Sequence, residues 1–204
     1  MRGADLAPFA EALHSEAFWL FPDAPLAAAS GGRTWWPLRD PADKSGKMID
    51  SEARIRALQA GPLELSSMDP PGRAEARAQL ASLIAALPAD QALVLAGFSQ
   101  GGMLAMDYAL HARETKSRTP AALALLSSTR IALADWTPRA PELAGQRVLV
   151  AHGRDDRELA FSAGEALRDF AIAGGANVTW LPFEGGHELP FVVWRALKKL
   201  VREV

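Results

Sequence analysis

Ser99 is the residue whose sequence surroundings point most directly to chemistry. It lies in the pattern Gly97-Phe98-Ser99-Gln100-Gly101, between an apolar run typical of a strand and an Ala/Leu/Met-rich run typical of a helix. A serine at such a turn can be held in a strained conformation that projects its hydroxyl over the edge of a sheet. The following helix start offers free backbone N–H groups to a developing oxyanion. The pattern predicts a nucleophilic serine; the alternative is an ordinary Gly/Ser turn.

A serine hydroxyl needs a neighbouring base before it can attack an ester, and histidine suits this role because its pKa lies near neutrality. The chain contains four histidines. His14 and His111 lie on or near predicted helices, and we expect solvated roles for them. His152 ends a predicted strand before an acidic loop, and we expect it to pack or to form hydrogen bonds locally. His187 alone follows the last predicted strand within a Gly-rich loop. We therefore predict that His187 is the base.

A carboxylate at the far nitrogen of the imidazole would fix its tautomer and stabilise the imidazolium. Asp155 and Asp156 follow another predicted strand, and either one is a candidate for this role. Glu184 and Glu188 flank His187, but the acid usually comes from a different strand end. The chain order nucleophile, acid, histidine is that of the α/β-hydrolase fold.

The elements that must position these residues are strands alternating with helices. The apolar runs predict strands over 16–21, 91–97, 121–127, 146–152 and 177–181. The periodic segments predict helices over 4–14, 73–87, 100–113, 159–173 and 189–202, with 128–143 as a Pro-containing connection. This alternation indicates a mostly parallel sheet with helices on both faces. Because sites in such sheets lie at the carboxyl ends of strands, the predicted nucleophile, acid and base are expected to meet there.

Residues 40–70 are the least regular part of the chain, and we predict a cap or lid over the site, the alternative being a surface excursion. The adjacent tryptophans just before this segment either line a pocket or anchor their loop to the core. The candidate substrate contacts are Trp35, Trp36, Met48, Ile55, Leu58 and Leu65.

Composition places the chain among ordinary globular proteins and predicts one domain over residues 1–204. The net charge is −2, without a long basic run, which argues against nucleic-acid binding. With no cysteine, disulfides, thiolate metal sites and a cysteine nucleophile are excluded. No segment approaches the roughly 18 apolar residues of a membrane span, and no signal layout is found, so we expect a cytoplasmic protein. The predicted chemistry needs no cofactor or metal, and the sequence leaves open whether a homodimer forms.

Four motifs, in order, resemble the phospholipase/carboxylesterase family, which includes acyl-protein thioesterases and bacterial carboxylesterases. They are Pro22-Asp23-Ala24-Pro25, Gly97-Phe98-Ser99-Gln100-Gly101-Gly102, His152-Gly153-Arg154-Asp155-Asp156 and Phe183-Glu184-Gly185-Gly186-His187-Glu188. The resemblance spans essentially the whole chain and implies a three-layer α/β-hydrolase fold. It implies that Ser99 is the nucleophile, that His187 is the base and that Asp156, rather than Asp155, is the acid. It also implies that the backbone amide of Gln100 supplies one oxyanion donor.

The sequence departs from this family at its start. Family members carry a strand ending in His-Gly-x-Gly before the helix that matches residues 5–14, and its loop gives the second oxyanion donor. Here Met1-Arg2-Gly3-Ala4 resembles only the tail of that loop. The strand would lie between those at 16–21 and 91–97, so without it backbone groups are expected to stay unpaired and the core to open.

Three explanations for this departure are a mis-assigned or truncated start, direct pairing of the two neighbouring strands, and a strand supplied by another chain. We expect the first. A site with one oxyanion donor is expected to hydrolyse esters about 10²–10³-fold more slowly than a complete one.

The predicted function is hydrolysis of small carboxylic esters with short to medium acyl chains, through a serine–histidine–aspartate triad and an acyl-enzyme. The partner is thus a small-molecule ester or thioester. One alternative is hydrolysis of acyl-protein thioesters or lysophospholipids, which requires a long acyl groove. Another is a catalytically impaired, hydrolase-like binding protein.

Overall fold

The computed structural model describes residues 2–28, 31–37 and 61–204. The helices are α1 (Ala7–Ala12), α2 (Arg73–Ala85), α3 (Gln100–His111), α4 (Leu133–Arg139), α5 (Phe161–Ala173) and α6 (Phe191–Arg202), with 3-10 turns at Gly3–Asp5 and Ala140–Leu143. The strands are β1 (Leu26–Ala27), β2 (Arg33–Thr34), β3 (Val94–Phe98), β4 (Ala122–Leu126), β5 (Arg147–Gly153) and β6 (Asn177–Phe183). No helix within these ranges is both long and apolar enough to cross a membrane.

In the described ranges, β3, β4, β5 and β6 form a parallel sheet in that spatial order. The strands are in register at their starts, where Val94 pairs with Ala122, Ala122 with Arg147, and Arg147 with Asn177. All four carboxyl ends therefore lie at one edge, as parallel pairing requires. The short strands β1 and β2 form a separate antiparallel pair.

Helices cover both faces of the sheet because alternate residues of each strand point to opposite sides. In β4, Leu123 and Leu125 join a core that includes side chains of α2, α3 and α5. Ala122, Ala124 and Leu126 join a second core that includes α6. Both sides of β4 are apolar for this reason, and the predicted fold class, a parallel sheet between two helical layers, is confirmed.

The prediction of a strand over residues 16–21 is wrong. Residues 18–24 have no regular secondary structure, and residues 16–22 line one side of a cavity whose other side includes β3. Within the described chain β3 pairs only with β4, so the two segments do not pair directly. Strand-forming residues alone do not make a strand, because the ladder also needs a neighbour to complete its hydrogen bonds.

The predicted Pro-containing connection over 128–143 holds two short elements that the sequence did not predict, α4 and the second 3-10 turn. In the sequence, Pro138 and Pro141 indicate a loop. Trp136, which lies in the chain between β4 and these prolines, is fully buried. Its indole Nε1–H donates to the Asp107 carboxylate over 2.8 Å. Packing of this side chain outweighs the local preference of the prolines.

A buried ion-pair network joins α2, α3 and α4. Asp107 is 0% exposed and accepts hydrogen bonds from Arg73 and, over 2.7 Å, from Arg77. His111 Nε2 lies 3.2 Å from an Asp135 carboxylate oxygen. Asp107, His111 and Asp135 have the ligand types of a metal site. The two guanidinium groups on Asp107 already balance its charge, so we interpret the cluster as structural.

Replacing Asp107 by alanine should lower the free energy of unfolding by about 3–5 kcal/mol, because it leaves the buried guanidinium of Arg73 without its main partner. Urea unfolding followed by circular dichroism measures this change. The matched control is Asp90→Ala, since Asp90 is exposed and outside the network. Equal midpoints for the two variants would contradict the structural role of Asp107.

Candidate active site

Ser99 stands at the junction of β3 and α3 in a strained backbone conformation, with φ 53° and ψ −119°. Its N–H donates to the Leu126 carbonyl over 2.8 Å, which ties the turn to the end of β4. Its carbonyl accepts from the Ser128 hydroxyl over 2.9 Å. Such strain persists only where the surroundings hold it, and it is common at functional sites.

The glycines of this turn do not contribute equally to its tight packing. A methyl group on Gly97 would lie 2.1 Å from the Gly101 carbonyl oxygen, so strand and helix start can approach only because Gly97 has no side chain. A methyl group on Gly102 would lie 2.7 Å from Ser128 Cβ. On Gly101 it would meet no atom of the described residues within 4 Å. The steric requirement therefore falls on Gly97 and Gly102 rather than on Gly101.

His187 lies in the loop after β6, and its Nδ1 is 2.8 Å from Asp156 Oδ2. The Phe98 ring packs against the imidazole with centroids 4.7 Å apart. Because a carboxylate oxygen only accepts, Nδ1 carries the hydrogen and Nε2 is left to act as a base. Glu158 Oε2 is 3.9 Å from that Nε2.

Asp156 is buried in the loop after β5. Its Oδ1 accepts from the backbone N–H groups of Glu158 and Leu159, each over 2.9 Å. Burial opposes ionisation, but the hydrogen bonds from His152, His187 and Leu159 outweigh it, and the pKa of the Asp156 carboxyl lies well below its usual range. The carboxylate is therefore ionised at neutral pH.

The other acidic candidates lie differently. Asp155 is exposed, and its backbone N–H donates to the Gly185 carbonyl over 2.9 Å. Glu184 is exposed and pairs with Arg154 over 3.1 Å. Among the acids that the sequence leaves open, the structure brings Asp156 against the His187 Nδ1.

Ser99, Gln100 and His187 line one cavity of about 940 Å³. The cavity extends along the edge of β3, which among the described strands pairs only with β4 on its other side. Apolar side chains that line it include Trp19, Trp35, Leu65, Leu83, Leu95, Leu189 and Trp194. A cavity of this size and character suits a small molecule with an apolar part.

The predicted substrate contacts have different locations. Trp35 and Leu65 line the cavity, while Leu65 is also part of the core. Trp36 is 1% exposed, packs within the core and is not among the lining residues of the described ranges. Of the two adjacent tryptophans, Trp35 therefore lines the cavity, whereas Trp36 lies in the core. Met48, Ile55 and Leu58 lie outside the described residues, as does most of the predicted cap, of which 61–70 is described.

The backbone N–H of Gln100 is at the first position of α3, where the helix leaves N–H groups without intrahelical partners. It is the predicted oxyanion donor. Arg2 and Gly3 also line the cavity. Their N–H groups already donate to the carboxylates of Asp5 and Asp23, each over 2.7 Å. In this structure, neither N–H is available as a second oxyanion donor.

The Gln100 side chain has a role that sequence reasoning missed. Its Oε1 lies 2.8 Å from both the Thr34 hydroxyl and the Trp35 N–H, and its Nε2 donates to the Trp36 carbonyl over 3.0 Å. These bonds attach the loop that carries Trp35 to the start of α3. The missed signal is a polar side chain immediately after the nucleophile, where it is available to a neighbouring loop.

Replacing Gln100 by alanine should raise KM for p-nitrophenyl butyrate by about 5- to 30-fold, with a smaller change in kcat. The substitution removes the hydrogen bonds that attach the Trp35 loop to α3, but it keeps the backbone N–H of residue 100 at the start of that helix. The control is Gln146→Ala, which also removes a glutamine hydrogen bond, to Pro120, at the opposite edge of the sheet. An unchanged KM in Gln100→Ala would contradict this role of the side chain.

One further polar residue, Ser128, escaped the sequence analysis, and it supports the Ser99 turn from the end of β4. His152, for which local packing or hydrogen bonding was predicted, bonds to the Leu159 carbonyl and lies 3.3 Å from Asp156 Oδ2. Ser127-Ser128-Thr129 directly follows a buried apolar strand, and polar residues at such a carboxyl end are a signal that could have identified Ser128.

The chain is similar to known proteins in both sequence and fold. A profile of the phospholipase/carboxylesterase family matches residues 76–203, more than half of the chain. A search of curated protein sequences finds no match.

Several solved structures are similar over the whole chain. Acyl-protein thioesterase 2 of Zea mays is 20% identical with a TM-score of 0.70, covering 100% of this chain and 88% of that one. The esterase PE8 is 22% identical with a TM-score of 0.72, covering 100% and 87%. The Bacillus cereus carboxylesterase is 19% identical with a TM-score of 0.63, covering 100% and 83%. At these identities the structural likeness establishes the fold.

Proposed function

The chain belongs to the phospholipase/carboxylesterase family, and on that premise we propose that it hydrolyses carboxylic esters with short to medium acyl chains. Ser99, His187 and Asp156 are the proposed catalytic residues. The observation that carries the proposal is the 2.8 Å hydrogen bond from His187 to the buried Asp156, beside a strained Ser99 that lines the same cavity as His187. These features match the requirements of a serine nucleophile with an oriented base.

In the proposed first half-reaction, His187 Nε2 takes the proton of the Ser99 hydroxyl while Oγ attacks the acyl carbonyl carbon. The carbonyl oxygen becomes an oxyanion, which the Gln100 N–H stabilises together with the positive end of α3. Asp156 holds the imidazolium in place and stabilises its charge. The intermediate then collapses, His187 gives its proton to the leaving alcohol, and the acyl group stays on Ser99.

In the second half-reaction, water replaces the alcohol. His187 takes a proton from the water while the water oxygen attacks the acyl carbon. The Gln100 N–H again stabilises the oxyanion. Collapse returns the proton to Ser99 and releases the carboxylic acid. Both halves use one base in one position, which agrees with the fixed orientation that Asp156 gives to His187.

A second candidate function is hydrolysis of long-chain acyl thioesters or lysophospholipids. The observation that favours it is the extent of the cavity, which runs from Ser99 along β3 to Leu87 and the end of α6 at Val201. A long acyl chain would lie in this cavity along the edge of β3.

A chain-length series separates the two candidates. We expect kcat/KM to be highest for p-nitrophenyl butyrate or octanoate and to fall for p-nitrophenyl palmitate. A rise through palmitate, with turnover of a palmitoylated peptide thioester, would favour the second function instead. Ester turnover no higher than that of Ser99→Ala protein across the series would contradict both.

A further inference from the structure

We propose that His152 is a positioning residue that acts on His187 by sharing the carboxylate of Asp156 with it. The catalytic consequence of this role rests on the proposed function, whereas the hydrogen bonding itself does not. His152 lies at the end of β5, four residues before Asp156, and its side chain is completely buried.

The surroundings of His152 define its protonation state. Its Nε2 lies 3.0 Å from the Leu159 carbonyl oxygen and 3.3 Å from Asp156 Oδ2. Both oxygens are acceptors, so Nε2 carries a hydrogen, which it donates to the Leu159 carbonyl while Asp156 Oδ2 lies 3.3 Å from the same nitrogen. The buried Nδ1 has no hydrogen-bond partner among the described residues. A hydrogen there would be buried without an acceptor, so the ring is the neutral Nε2–H tautomer.

Helix α5 fixes the orientation of this ring. Gly164 faces the imidazole, and a methyl group at that position would lie 2.4 Å from His152 Nδ1. The Phe161 ring meets the imidazole edge-on, with centroids 6.3 Å apart. A glycine in the middle of a helix is normally unfavourable, by roughly 1 kcal/mol relative to alanine. Here its lack of a side chain makes the space that the imidazole occupies.

The result is a carboxylate with donors on both oxygens. Oδ1 accepts from the N–H groups of Glu158 and Leu159, and Oδ2 faces His187 Nδ1 and His152 Nε2. The charged groups facing this arrangement are Glu158, near His187 Nε2, and Arg154, whose guanidinium lies over the Phe161 ring and pairs with Glu184. Within this set, His152 and His187 are the side chains that bring a hydrogen to Oδ2.

This sharing of Oδ2 has a consequence for the proton on His187. Without His152, Oδ2 would concentrate its charge on His187 and favour the imidazolium, which cannot act as the base. The free base would then form only at higher pH. A merely structural role for His152 would lower the amount of folded protein without moving the acid limb of the rate profile.

Two variants of His152 test this directly. His152→Phe keeps a ring but removes the donor, and it should lower kcat/KM about tenfold below neutrality, which is about 1.4 kcal/mol, with a smaller loss at high pH. His152→Gln keeps an amide N–H in place of Nε2–H, and its pH profile should lie closer to that of the parent protein. An unchanged profile in His152→Phe, or equal shifts in both variants, would overturn the proposal.

A substitution on the helix tests the same ring from its other side. Gly164→Ala should displace the imidazole without touching Asp156 and should shift the acid limb in the same direction as His152→Phe. Ser162→Ala is the matched control, since Ser162 is exposed on the same helix. A Gly164→Ala protein with the parent profile would contradict the orientation argued here.

Histidine-selective ¹⁵N NMR gives a readout that does not require activity. We expect the imidazole of His152, identified by its absence from the spectrum of a folded His152 variant or assigned through its bonds, to be the Nε2–H tautomer. An Nδ1–H tautomer or an imidazolium at His152 would overturn the proposal. If this tautomer is observed but no ester is hydrolysed, the proposed function fails while the hydrogen-bond assignment stands.

Discussion

Replacing Ser99 by alanine should reduce ester turnover by about 10⁶-fold in kcat. The reason is that no other group would form the covalent acyl intermediate. Alanine keeps the backbone N–H of Gln100 and removes only an oxygen from the strained turn, so substrate binding should change little. Stopped assays with p-nitrophenyl butyrate at high protein concentration measure the loss.

The matched control for this variant is Ser82→Ala, because Ser82 is an exposed helix residue whose hydroxyl donates to the Ala78 carbonyl of the same helix. It should keep the turnover of the parent protein. Residual activity in Ser99→Ala within tenfold of the parent would mean that another group is the nucleophile. Identical melting temperatures would exclude unfolding as the cause of a loss.

Replacing Asp156 by asparagine should lower kcat by about 10⁴-fold. The asparagine NH₂ would donate to His187 Nδ1, which would leave the hydrogen on Nε2, where a free lone pair is needed to accept the serine proton. Because the pKa of Asp156 lies below its usual range, the carboxylate is ionised throughout the pH range of the activity assays. The acid limb of the pH–rate profile of the parent protein should therefore not report protonation of Asp156.

Asp155→Asn is the control for this substitution, since Asp155 is adjacent in sequence but exposed. Its kcat should remain within a few-fold of the parent value, and its stability should be unchanged. The assignment of the acid would be contradicted if Asp155→Asn showed the larger loss.

The sheet and the main helices were predictable from sequence because their patterns are local. β4 is a continuous apolar run, and its burial on both faces is what a central parallel strand needs. The order in which polar residues follow the strands can also be predicted from the sequence, without any distance between them. Parallel pairing places these ends at one edge, so an acid from the loop after β5 is expected near His187 from topology, while the choice of Asp156 over Asp155 is implied by the family resemblance.

The segments that sequence reasoning missed depend on non-local partners. Residues 16–21 have strand composition, but in the described structure they face the cavity rather than a neighbouring strand. The helix α4 forms although Pro138 lies within it, because Trp136 is buried against Asp107. Neither partner is adjacent in sequence, so neither outcome could be predicted from composition.

Within the site, the supporting contacts were the least predictable part. The bonds of the Gln100 side chain span more than sixty residues, to Thr34 and Trp35. The donor from His152 to Asp156 depends on the missing side chain at Gly164, which lies in the next helix. Residue type identified the reacting groups, while the groups that hold them in place required the fold.

Labelling with a fluorophosphonate probe, followed by intact-mass and peptide mass spectrometry, tests the central claim most directly. The probe phosphonylates a serine only when a nearby base activates its hydroxyl. We predict one adduct per chain, on the peptide that contains Ser99, and none in Ser99→Ala protein of equal stability. A folded parent protein that takes up no probe, or that carries the adduct on another serine, would contradict the assignment of Ser99 as the nucleophile.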